Sequence, residues 1–201
     1  MLAVMSTSAA LRDRAVQVIL DAAAGLLAGR GESVSMADIA EAAGVGRATV
    51  YRYFPSRDAL LDALCTAGTA ELSRLIGGAD LDRIAVPEGI ARVARAFVGL
   101  GSKYAALMPG GALGQQLAER NDVDLRQLIA PVHALLRRGK AEGVLRDDLT
   151  VETLWIMLAG LLDVAGERVT GEDVGVEQAS ADAVSIFLYG ATRITPPAHR
   201  A

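Results

Sequence analysis

A glycine at position 44, set between two short amphipathic stretches, constrains this chain more than any other feature. Residues 35–64 read SMADIAEAAGVGRATVYRYFPSRDALLDAL. Ser35 is placed to accept from first-turn amides as an N-cap, and Met36, Ile39, Ala40 and Ala43 recur at helical spacing on one apolar face. Gly44 then ends the helix, because the residue just past a helix terminus is commonly left-handed and glycine adopts that conformation without steric cost. Val45 anchors the turn in the core. A second short helix over residues 47–53 turns Val50 and Tyr53 or Phe54 inward, which leaves Gly46, Arg47, Ala48, Thr49, Tyr51 and Arg52 outside. This order of helix, tight turn and helix is a helix-turn-helix. Small, hydroxylic, aromatic and cationic groups on the second helix suit a groove of base edges flanked by phosphates. Arg47 can make a bidentate contact to guanine, and the Thr49 methyl can touch thymine. Ser35, Gly46, Tyr51, Arg52 and Arg57 suit the phosphate backbone, where a capped helix start, a close backbone approach, a hydroxyl or a cation positions without specifying. Relief of crowding explains Gly46 equally well.

At these residues the chain resembles the TetR family of one-component transcriptional regulators. Ala40, Gly44 and Val50 keep the spacing of a small residue where helices touch, a turn glycine and a core aliphatic in the recognition helix. The stretch TVYRYFPSRDAL from Thr49 to Leu60 looks like the family's boundary between the recognition helix and the next one. In the family a tyrosine of the recognition helix and a basic residue after the Pro-Ser step commonly hold phosphate. Tyr51 and Arg57 occupy those positions, with arginine in place of the more usual lysine. The close resemblance covers roughly residues 10–64; beyond it only length and helical character match. It implies a homodimer on a palindromic double-stranded operator, most simply a repressor. A small apolar or aromatic effector would bind in a cavity of the second part. Action as an activator, or without a small molecule, stays open, as does a helical protein–protein adaptor, although an adaptor leaves Arg47, Thr49, Tyr51 and Arg52 unexplained.

Charge is consistent with a few well-aimed DNA contacts rather than a cationic face. The 201 residues carry a net charge of −4. Residues 1–57 hold six arginines against five carboxylates, a balance of +1 that leaves −5 for the remainder. Cys65 is the one cysteine, so no internal disulfide forms, and no Cys/His cluster has metal-ligand spacing. No cofactor is expected, and a reducing cytoplasm fits. The stretch MLAVMSTSAA lacks the basic start of a signal peptide, and the most apolar run, residues 153–162, is too short to span a bilayer. Enzyme chemistry finds no nucleophile with a base, no paired-carboxylate cleft and no phosphate loop; the histidines are only His133 and His199.

The remaining chain reads as helix after helix, giving an all-α fold of about nine helices. Residues 1–9 are expected as a tail and 10–55 as a helix-turn-helix domain of three helices. A connecting helix follows over 56–78, a ligand-binding and dimerisation domain over 79–195, and a tail over 196–201. The first helix would turn Leu11, Val18, Ala22 and Leu26 inward. Ser56 caps the connecting helix and Gly77 and Gly78 break it. Pro87 opens a helix to about Lys103, residues 108–114 form a loop or broken helix, and Pro131 kinks or splits the helix spanning 122–142. Thr150 caps the next helix, whose residues 154–162 are apolar around the circumference and so need covering on more than one face. Ala179, Ala183, Ile186, Phe187 and Gly190 share a face of the last helix. In the resembling family these last two helices pair with their copies as a four-helix interface, here assigned to Leu158, Leu162, Ala183, Ile186, Phe187 and Gly190. Burial of both helices in one monomer core is the alternative. Liners of the implied cavity are Phe97, Tyr104, Met108, Gln115, His133, Trp155 and Asp163, although plain core packing serves each aromatic as well. Asp163 interrupts an apolar face, and pairing with Arg137, Arg138 or Arg168 accounts for it as readily as a cationic ligand.

Overall fold

A computed structural model describes residues 2–104, 116–117, 119–121, 123–171 and 174–192, with backbone alone at 2–11 and at 32. Among these residues the chain forms eight α-helices: α1 (Leu2–Arg30), α2 (Met36–Ala42), α3 (Arg47–Tyr53), α4 (Arg57–Gly77), α5 (Val86–Tyr104), α6 (Leu125–Ala141), α7 (Val151–Gly171) and α8 (Val176–Ala191). A single 3-10 turn, Gly31–Ser33, joins α1 to the segment before α2. The one extended pairing in the described residues is an isolated antiparallel bridge between Leu145 and Thr192. The all-α expectation therefore holds. No described helix is long and apolar enough to cross a membrane.

Several helix starts follow from caps written in the sequence. The Ser56 hydroxyl accepts from the Ala59 amide at 3.1 Å, the Asp124 carboxylate from the amides of Arg126 and Gln127, and the Thr150 hydroxyl from the Thr153 amide at 3.0 Å. Gly143, at φ +70°, closes α6 in the left-handed region. Two boundaries differ from the sequence reading. Helix α1 begins at Leu2 instead of near residue 10, since neither proline nor glycine interrupts that stretch. Pro131 does not split α6: it lies exposed, so the carbonyl it leaves unbonded, that of exposed Gln127, stays near water.

Two compact units result. The first joins Met1–Thr69 to Lys103–Val123, and the second joins Ala70–Ser102 to Asp124–Ala201. Tyr104, Arg120 and Asn121, which the sequence reading assigned to the second domain, thus contact residues of the first unit. The first unit is built on Ile19, Ala23, Leu27, Ile39, Val50, Phe54, Leu60 and Leu64, all buried. The inward face of α1 is Ile19, Leu20, Ala23, Ala24 and Leu27; of the expected positions, Val18 is 41% exposed and Ala22 and Leu26 are half-buried. Apolar residues surround nearly the whole helix here, so spacing alone does not set its rotational phase. The second unit encloses Ile90, Val93, Val98, Val132, Leu136, Leu154, Leu158 and Phe187. Each such side chain contributes about 1.5–3 kcal/mol through burial. Helices α5 and α7 touch backbone to backbone at Gly101 and Gly166, where a Cβ on Gly101 would lie 3.9 Å from the Gly166 Cα.

Candidate nucleic-acid interface

Helix α2 is held by a reciprocal cap. The Ser35 hydroxyl accepts from the Asp38 amide at 3.2 Å and donates to Asp38 Oδ2 at 2.7 Å, while the Ser35 amide donates to the same carboxylate at 2.9 Å. These bonds, the hydroxyl's above all, hold the Asp38 carboxyl below its ordinary pKa. The hydroxyl and amide of Ser35 are thus both engaged in the cap, although the residue itself stays exposed. The serine three residues before an aspartate was the signal in the sequence for this cap.

The turn is closed by Gly44, whose φ of +64° lies in the left-handed region. The Val45 amide donates to the Ala40 carbonyl at 3.0 Å and the Gly44 amide to Glu41 at 3.0 Å. Gly46 differs. Its φ of −69° suits any residue, and a Cβ there meets nothing within 4 Å, so crowding does not explain the glycine.

Val50, with no exposed surface, and buried Phe54 anchor α3 from beneath. Arg47, Ala48, Tyr51 and Arg52 face outward and Thr49 is half-buried at the edge of that face. Tyr51 is 51% exposed, whereas Tyr53 is half-buried, which divides the two tyrosines as their spacing requires. The Arg52 guanidinium lies over the Tyr53 ring, 4.9 Å from its centroid, and donates to the Tyr53 hydroxyl at 3.3 Å. Arg57 is half-buried in the first turn of α4. From Gly46 to Arg57 the chain carries three arginines and no carboxylate, so the outward face is locally cationic in a chain of negative total charge.

Three of the pocket residues inferred from sequence meet within the second unit. The rings of Phe97 on α5 and Trp155 on α7 lie edge to face with centroids 5.7 Å apart, and His133 on α6 meets Trp155 at 5.8 Å. Tyr104 does not join them. It is two helical turns beyond Phe97, about 10 Å along the axis, and packs in the first unit against Gly68, with the Lys103 ammonium 5.0 Å from its ring centroid. Met108 and Gln115 lie outside the described residues. Asp163 is on the exposed side of α7 with no cationic partner among the described residues; Arg168 pairs with Asp182 and Arg138 with Glu142. Partial burial, and then the nearby Glu167, raise its carboxyl pKa.

The interface assignment needs a similar correction. Leu158, Leu162, Ala183 and Phe187 are buried inside the second unit, while Ile186 and Gly190 are exposed. The outer faces carry Ile156, Met157 and Val164 on α7 and Ile186 and Tyr189 on α8, each 56% to 88% exposed. Where a helix is apolar all round, the largest side chains fill their own core and the sequence does not say which remain outside.

Comparison with known proteins agrees with this architecture. The family model for bacterial regulatory proteins of the tetR family matches residues 19–64. The HTH-type transcriptional repressor LfrR of Mycolicibacterium smegmatis is 49% identical over 59 residues, which is 29% of this chain and 31% of that protein. An uncharacterized HTH-type transcriptional regulator of Mycobacterium tuberculosis is 47% identical over 70 residues, 34% of this chain and 35% of that one. The chain thus aligns with about a third of the length of these curated relatives. The solved structure of the TetR-like regulator LfrR from M. smegmatis in complex with proflavine is similar over 91% of this chain and 99% of that one, with a TM-score of 0.65 and 27% identity. Residues 19–64 thus match the family model of TetR regulatory proteins, and the fold over most of the chain is similar to that of TetR-like regulators. These relatives are regulators of transcription, not enzymes.

Proposed function

We propose that the chain is a ligand-responsive repressor that binds a palindromic operator as a homodimer in the bacterial cytoplasm and is released by a small aromatic effector. The observation that carries this reading is α3, pinned by Val50 and Phe54 so that Arg47, Thr49 and Tyr51 project from one carboxylate-free face. Arg47 reads guanine and Thr49 touches a thymine methyl, while Tyr51, Arg52, Arg57 and the Gly46 backbone hold phosphates. One recognition helix reads only a few base pairs, so two-fold pairing through the exposed faces of α7 and α8 supplies the second half-site. The named relatives support the polarity and the ligand: one is a repressor, and its solved structure holds proflavine, a planar aromatic.

Release follows if the effector binds the DNA-incompetent state more tightly. Selection from random duplexes tests the reading. Enrichment of a palindrome with half-sites about one helical turn or a multiple apart is expected; no enriched palindrome at any salt concentration overturns it.

A further inference from the structure

The convergence of Phe97, His133 and Trp155 comes from three separate helices, and each of the three side chains is half-buried. Within it His133 Nε2 is buried and has no hydrogen-bond partner among the described residues. Buried polar atoms are normally satisfied, and one that is not invites a missing partner. The neighbouring chain is apolar: Val132 and Leu136 flank His133 on α6, and Leu154 and Leu158 flank Trp155 on α7, all buried. A water molecule needs two to four polar partners, and the side chains named around His133 Nε2 are aromatic or aliphatic, the Trp155 indole N–H apart. A metal is equally disfavoured, since no cluster of three ligating side chains occurs among the described residues. What complements the site is a flat apolar body with a single polar group on its rim.

We infer that Phe97, Trp155 and His133 form a recognition site for a planar aromatic molecule carrying an O–H or N–H on its rim. The ring packs against the indole and phenyl groups, where offset or edge-to-face contact is favoured. The rim group donates to His133 Nε2 in the tautomer that leaves this nitrogen unprotonated. The inference rests on reading the second unit as the effector domain and specifies what that domain selects. The aromatic pair supplies affinity; the imidazole discriminates, because a ligand lacking the donor desolvates Nε2 without repaying it.

Trp155 is the sole tryptophan of the chain, so the full-length protein gives one indole N–H resonance, located in the proposed site. The matched probes are 2-naphthol and 2-methoxynaphthalene, which share ring and shape and differ in the rim donor. Titration of the full-length protein is expected to shift the indole resonance, with 2-naphthol bound about tenfold tighter by calorimetry, the ratio set by one net hydrogen bond. His133→Phe keeps the aromatic volume and should bring the two affinities together, and Trp155→Ala should weaken both. Equal affinities in the unmodified protein, or no binding of either probe up to its solubility limit, overturn the proposal without recourse to a variant. So does binding of 2-naphthol that leaves the indole resonance unmoved. Duplex selection on the same preparation separates the two readings: a palindrome selected by protein that does not distinguish the probes removes this site and leaves the regulator standing. Discrimination with no selected duplex does the reverse.

Discussion

A single carboxylate oxygen of Asp62, on α4, receives Arg120 Nη2 at 2.6 Å and Nε at 2.8 Å, together with the Asn121 side-chain amide at 2.9 Å. Arg120 also lies 3.6 Å from Asp58, one turn earlier on α4. The same Asn121 amide donates to the Leu117 carbonyl, and Leu117 is buried. Within the first unit this clamp fixes the returning segment against the helix that follows the recognition helix.

The hydrogen bond from Asn121, and then that from Arg120, hold the Asp62 carboxyl below its ordinary pKa. A depressed folded-state pKa gives stability that is complete above the unfolded-state value and is lost as pH falls through the folded one. Asp62→Asn should therefore lower the urea midpoint at neutral pH, and the gap from the unsubstituted protein should begin to narrow below about pH 4 and close only below the depressed folded-state value. With Asp62 and Arg120 side chains 38% and 44% exposed, the effect should be modest and shrink in salt. A gap that widens on acidification would show that the clamp is not the source.

The glycines flanking the turn should separate stability from binding. Gly44→Ala meets no steric neighbour but must hold φ +64°, and should cost about 1–2 kcal/mol in urea unfolding. Gly46→Ala has an ordinary φ and open space, so stability should change by no more than about 0.5 kcal/mol. Its affinity for the selected duplex should nevertheless fall as the added methyl holds the backbone away from phosphate. Unchanged affinity would remove Gly46 from the interface.

Base reading and positioning should also part. Arg47→Ala is expected to cost about 1–3 kcal/mol on the best duplex and to relax preference at one base pair. Tyr51→Phe, which removes only a hydroxyl, should weaken all sequences alike. A preference profile that survives Arg47→Ala would move Arg47 to the phosphate set.

Assembly should respond to the outer faces of α7 and α8 and stability to their inner ones. Ile186→Glu places a charge where 61% of the side chain is already exposed, so it should leave the thermal melt of the second unit nearly intact while producing a monomer by sedimentation. Leu158→Ala empties a fully buried position and should cost about 2–5 kcal/mol. If Ile186→Glu remained a dimer, the pairing would lie elsewhere.

Legibility followed sequence distance. Ser35, Gly44, Val50 and Ser56 were readable because a cap, a left-handed residue and an inward aliphatic each act within a turn or two of the chain. The reciprocal bond between Ser35 and Asp38 is equally local, since it closes within three residues. Tyr104, Arg120 and Asn121 were misplaced at long range, because the unit they join is settled by contacts with residues far away in sequence.

By itself, the order of residues determined that this chain is helical, where the Ser35, Ser56 and Thr150 caps and the Gly44 turn fall, and that a carboxylate-free face of α3 carries Arg47, Thr49 and Tyr51. Such outcomes arise from backbone conformation and helical spacing, which neighbouring residues dictate. Tertiary structure alone decided that Leu158 and Phe187 fill a core while Ile186 and Tyr189 stay outside, and that Phe97, His133 and Trp155 meet. The reason is physical: on a helix that is apolar all round, every rotation about its axis buries a similar area, and only the shapes of the helices packed against it single out one.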